Sequence, residues 1–135
     1  MFVEAFVDGS YRPEGSAAAI VLYVDQEEVF SSCKPVVANN SSTPELEAIL
    51  FAVNICFNSL YPSPTIYTDS KVACQQFSKK SGISERETLL YMDCLWEIHK
   101  IYPFQIKYTQ RINVTVPDKM CKNFLLSIDK KYKKD

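Results

Sequence analysis

The 135-residue sequence predicts an α/β fold in which a five-stranded mixed sheet is flanked by helices. Three observations predict it. Residues 2–11, 16–24 and 28–37 are rich in β-formers and separated by short turns, the pattern of an antiparallel meander. Pro44 then opens a long helical stretch, with Thr43 before it as an expected N-cap. Beyond that helix, short apolar runs alternate with helical ones, giving the order β-β-β-α-β-α-α-β-α and parallel strands after the meander.

The first strand stops at Asp8-Gly9-Ser10, and Pro13 and Gly15 mark the connection to the second, Ser-Ala-Ala-Ala-Ile-Val-Leu-Tyr-Val. Asp25-Gln26 reads as the next turn. In the helix over 44–58, Glu45, Ala48, Ile49, Ala52 and Cys56 share one face. Pro62 and Pro64 close it, and Thr65-Ile66-Tyr67-Thr68 forms a strand ending at Asp69. Helices over 70–78 and 85–101, a strand over 104–110, a loop over 111–116 and a last helix over 117–132 complete the reading.

Composition narrows the classes. The chain is 47% hydrophobic and 23% charged with only three glycines, which excludes collagen-like and disordered chains and fits one domain over 1–135. No apolar run reaches the roughly 20 residues of a membrane span. Met1-Phe2-Val3-Glu4 lacks the basic start of a signal peptide, so a cytoplasmic protein with no membrane partner is expected. Five scattered cysteines and one histidine argue against zinc, and the cysteines are expected reduced and mostly buried. His99, Trp96, Tyr91 and Tyr102 read as packing residues. The net charge is −1, and residues 130–135 carry +3, so an acidic body bears a basic tail.

Three carboxylates stand out by position. Asp8 and Asp69 each end a strand, and Glu45 heads the small-residue face of its helix. Each has an ordinary explanation: turn chemistry for Asp8-Gly9, the helix dipole for Glu45, an N-cap for Asp69. Convergence of all three on one sheet edge is harder to explain structurally, because clustered carboxylates repel one another. Such a cluster suits hard divalent cations, Mg²⁺ or Mn²⁺, and two such ions can promote phosphodiester hydrolysis.

The ordered set Phe6-Val7-Asp8-Gly9-Ser10, Ser42-Thr43-Pro44-Glu45-Leu46-Glu47-Ala48-Ile49 and Tyr67-Thr68-Asp69-Ser70-Lys71 resembles the ribonuclease H family, type 1. The resemblance spans essentially the whole chain. It implies the ribonuclease H-like fold, a pair of Mg²⁺ or Mn²⁺ ions on Asp8, Glu45 and Asp69, and cleavage of the RNA strand of RNA–DNA hybrids to leave a 3′-hydroxyl. It also implies substrate contacts from Gly9, Ser10, Asn40, Ser41, Ser42 and Ser70, the polar side chains meeting 2′-hydroxyls. A monomer is expected. The family's fourth carboxylate, near the start of the last helix, falls here on Lys122, with Asp118 one turn earlier and Asn123 one position on. Asp118 is the candidate fourth catalytic residue and Lys122 a candidate substrate contact. The loop over 111–116 lacks the histidine many members carry there. Lys122 and that absence favour an alternative, an inactive nucleic-acid-binding or protein-interaction module of the same fold.

Overall fold

The computed structural model describes residues 1–132; Lys133, Lys134 and Asp135 of the basic tail lie outside the described residues. Strands β1 (Val3–Ser10), β2 (Ser16–Val24) and β3 (Glu27–Val36) form the meander. Helix α1 (Ser42–Asn58), strand β4 (Thr65–Thr68), helices α2 (Lys71–Lys79) and α3 (Arg86–Ile101) and strand β5 (Gln105–Tyr108) follow. A 3₁₀ turn (Arg111–Val114) leads into helix α4 (Thr115–Tyr132). The sheet order is β3-β2-β1-β4-β5, with β1 antiparallel to β2 and parallel to β4, which is itself parallel to β5. The expected mixed sheet is therefore present, meander first and parallel strands after.

Alternation along the strands decides which face each helix covers. Val3, Ala5 and Val7 of β1, with Ala18, Ile20 and Leu22 of β2, pack under Leu46, Ala48, Ile49, Ala52, Val53 and Cys56 of α1. On the other face Ala17 and Ala19 meet Cys121 and Leu125 of α4. Two alanines there let the helix come close, and the Cys121 thiol donates to the carbonyl of Asp8 at 3.6 Å. Between β2 and β3, Asp25 and Gln26 both take positive φ, 50° and 69°, the twist a two-residue hairpin needs. A register irregularity between Leu22 and Tyr23 follows in the β2–β3 pairing.

Several boundaries depart from the sequence reading. Helix α1 begins at Ser42, so the N-cap position falls on Ser41 rather than Thr43, and the side chain that satisfies the first N–H groups is that of Asn40 before it. The Asn40 Oδ1 accepts from the backbone N–H of Ser42 at 2.9 Å and of Thr43 at 3.1 Å, while Thr43 is buried. Four of the six residues of the expected loop over 111–116 form the 3₁₀ turn, and the other two open α4, which starts two residues before Pro117; the proline is tolerated because first-turn N–H groups lack intrahelical partners. All five cysteines are free, but only Cys56 and Cys121 are buried and Cys94 is exposed. His99 packs edge-on against Phe77 and Phe104, and the Trp96 indole donates to the Phe77 carbonyl at 3.0 Å, both as packing residues.

Candidate active site

Strand pairing sets the first two carboxylates side by side. Phe6 of β1 lies opposite Tyr67 of β4 in parallel register. The same offset carried two residues on brings Asp8 level with Asp69, just past the end of β4. Polar groups gather at such strand ends because the sheet stops there and loops and helix N-termini take over. Asp8 is buried, and the Asp69 side chain is only 10% exposed.

Glu45 arrives from the other layer, and Gly9 explains how. A Cβ on Gly9 would lie 2.2 Å from the Pro44 carbonyl carbon and 2.4 Å from the Glu45 nitrogen. No side chain fits there, so glycine lets the first turn of α1 press onto the end of β1. That contact carries Glu45 to the sheet edge. One carboxylate oxygen each from Asp8, Glu45 and Asp69 then lie within 4.8 Å of one another, the one such group of three among the described residues.

Asp118, in the first turn of α4, reaches the same place from the opposite face: its carboxylate shares a hydrogen bond with Asp8. Lys122, one turn on, pairs its Nζ with Asp118 at 2.9 Å while most of its side chain is exposed. Asn123 is exposed and outside the group. Ser70 caps α2 by accepting from the Ala73 N–H at 3.2 Å, and its hydroxyl hydrogen-bonds Glu45. Ser10 is half-buried beside Arg12 and Lys122. Ser41 and Ser42 are exposed at the start of α1, whereas the Asn40 amide is occupied, its Oδ1 by the helix and its Nδ2 by Glu85.

Arg111 is the residue that sequence reading missed. From the 3₁₀ turn its Nε donates to Asp69 Oδ2 at 3.2 Å, with the rest of the side chain largely in solvent. Its one sequence signal is being a cation in the segment between β5 and α4, where a histidine is absent.

The electrostatics follow from this crowding. Burial, the Asp118 hydrogen bond and the charges of Asp69, Asp118 and Glu45 push the Asp8 carboxyl up to about 8. Burial and Asp69 also raise Glu45, against the opposing pull of Ser70 and Arg111. Burial works to raise Asp118 too, but it is held below its ordinary value by Lys122, by the Asp8 hydrogen bond and by the Arg111 charge. Asp8 is accordingly the proton donor of the Asp8–Asp118 pair. Oxygen donors alone, mutually repelling and with two flanking cations, fit a hard divalent ion, which the three clustered carboxylates could hold.

A family model described as reverse transcriptase-like matches residues 6–124. No curated protein matches by sequence. Among solved structures, RNase H1 from the halophilic archaeon Halobacterium salinarum superposes with a TM-score of 0.87 at 16% identity, over 94% of this chain and 99% of that one. The N-terminal RNase H domain of a Mycobacterium tuberculosis protein gives 0.84 at 12% identity, over 97% and 98%. LC11-RNase H1, solved in complex with an RNA/DNA hybrid, gives 0.81 at 12% identity, over 90% and 94%. With that model spanning most of its length and the same fold in each of these structures, the chain belongs to the reverse transcriptase-like family of ribonuclease H-like domains.

Proposed function

We propose that the protein is a metal-dependent endonuclease that hydrolyses the RNA strand of RNA–DNA hybrids. The observation that carries the proposal is the convergence of Asp8, Glu45 and Asp69 within 4.8 Å, with Asp118 bonded to Asp8 from the facing helix. Asp8, Glu45 and Asp69 would hold Mg²⁺ or Mn²⁺, two ions in the active form. Bound there, the ions supply an activated water and stabilisation of the leaving oxygen. The chain's own residues prepare the site. Ser70 orients Glu45, Lys122 holds Asp118 ionised, and the Asp118 carboxylate accepts a hydrogen bond from protonated Asp8, whose proton would pass to solvent when a cation takes its place. Ser41 and Ser42 offer hydroxyls to the 2′-hydroxyls of the RNA strand, with Ser10 and Lys122 on the other side of the cluster. Asn40 contributes by holding the α1 N-terminus, and Gly9 by admitting it.

A second reading, a nucleic-acid-binding module without cleavage, draws on Arg111 and Lys122. Each pairs with an acid of the cluster, as a cation already present in the chain. One assay separates the two readings: cleavage of a labelled RNA–DNA hybrid beside single-stranded RNA, duplex RNA and duplex DNA, in Mg²⁺ and in Mn²⁺. Hybrid-selective cutting that Asp69→Asn abolishes is the expected result. Tight hybrid binding by folded protein with no cutting in either metal would select the second reading.

A further inference from the structure

The half of the sheet that α4 leaves open carries a second feature. On the face of β1 that bears Asp8, starting about 7 Å back along the strand at Phe6 and reaching about 14 Å back at Glu4, a groove of about 310 Å³ lies between Phe6 and Tyr23 on one side and Val116 and Pro117 on the other. Its base is aromatic. Phe6 stacks on Tyr67 with ring centres 4.9 Å apart, and Tyr23 meets Phe6 edge-on at 5.8 Å. Three half-buried aromatic rings from three neighbouring strands thus gather on one sheet face beside an open groove.

The charge lining and bordering the groove is mostly acidic, with Lys107 beside Tyr67 the cation on the β5 side. Glu4 lines the groove and is held in place by the Tyr67 hydroxyl, which hydrogen-bonds to it. Glu28 sits opposite Tyr23 in the β2–β3 pairing, and Asp25 and Glu27 stand exposed in the adjoining turn. Gln26 and Asn113 complete the polar lining, and no lysine or arginine contributes to it. Lys107, opposite Tyr67 on β5, lies outside the lining. A phosphate backbone is repelled by such a rim. A planar cation is attracted twice, by the faces of the rings and by a carboxylate with an oxygen to spare. The apolar wall of Val21, Val116 and Pro117 adds room for aliphatic flanks.

We propose that this groove is a docking site for an arginine-bearing segment of a partner protein, its guanidinium packed against the Phe6–Tyr23 pair and bonded to Glu4. Arginine fits better than lysine because its flat fork can stack and pair with a carboxylate together. The groove adjoins the acidic cluster but shares no residue with it, so the inference stands whether or not the cluster cleaves.

The test is an NMR titration of the full chain with a capped Leu-Arg-Val tripeptide and with its citrulline counterpart, which keeps the shape and loses the charge. Saturable shifts at Phe6, Tyr23 and Asn113 are expected with the arginine peptide, and binding at least tenfold weaker with citrulline. Glu4→Gln, whose amide oxygen still accepts from Tyr67, is expected to weaken the arginine peptide at least tenfold. Gln26→Lys, exposed and away from the core, places a tethered cation at the groove and is expected to block it, so the answer does not depend on one variant's folding. Equal binding of both peptides, or no effect of either substitution, overturns the proposal. So does guanosine monophosphate moving the same signals at lower concentration than the arginine peptide, which would make the groove a nucleobase site.

Discussion

At Asp8, the burial and neighbouring charge that push the carboxyl up to about 8 make the stability of the metal-free protein depend on pH. The folded chain keeps a proton on Asp8 that the unfolded chain, with an ordinary value of 3.8, has released. Stability from this group is therefore present at acid pH and lost as pH rises from about 4 toward 8. A tenfold change in an ionisation constant is about 1.4 kcal/mol, or about 5 °C in Tm for a chain of this length. Thermal melts in EDTA should show Tm falling by at least that much between pH 5 and pH 8.5. Asp8→Asn should flatten the slope and raise Tm at the alkaline end while abolishing cleavage. Arg111 makes the complementary case. Its guanidinium competes with any cation for Asp69, but it is largely solvated, so the competition is modest and screened by salt. Calorimetry with Mn²⁺ should find Arg111→Ala binding about two- to threefold more tightly at low salt, the gap closing at high salt. Weaker binding would mean that Arg111 instead holds Asp69 in its ligating pose.

The elements matter through where two of them touch. Gly9→Ala would force the backbone of Pro44 and Glu45 away from β1, an overpacking cost of about 1–3 kcal/mol. The expected outcome is a lower Tm together with weaker Mn²⁺ binding, because the same displacement carries Glu45 off the sheet edge. A lower Tm with unchanged metal affinity would separate the packing role from the positioning one. This scale also shows what was legible beforehand. Glu45 and Asp69 could be read from the sequence because each lies at an element end that helix and turn signals mark; Asp8 could be read from the Gly9 beside it, although β1 runs on to Ser10 and Asp8 sits inside the strand rather than ending it. Asp118 could be read only as one option among three. The family position falls on Lys122, and the start of α4, two residues before Pro117, carries no breaker or strong cap to fix its register. Thr43-Pro44 is the opposite case: a strong local signal for a helix start, displaced because Asn40 reaches forward to cap from outside.

For the molecule as a whole, charge is divided between two ends. The acidic cluster needs a cation before a phosphate can approach it, and Lys130 and Lys131 place positive charge in the last turn of α4. Deleting 130–135 should weaken hybrid binding and lower its salt dependence, measured as the slope of log affinity against log salt. An unchanged slope would leave the tail without a nucleic-acid role. The aromatic groove was not legible, although each of its residues was. Outward positions on a strand look alike in sequence, and only the path of α4 decides which are covered. The sheet order has one more consequence. Its borders, β3 and β5, both present unpaired backbone that another chain's strand could extend. At β5 that border is only four residues long. At the ten-residue β3, Pro35 withholds an N–H, Lys34 and two glutamates bring charge, and the register irregularity near Tyr23 breaks the straight run. A sheet guarded in this way resists growing by addition of strands, so the molecule can meet other chains through its faces and strand ends while its edges stay closed to aggregation.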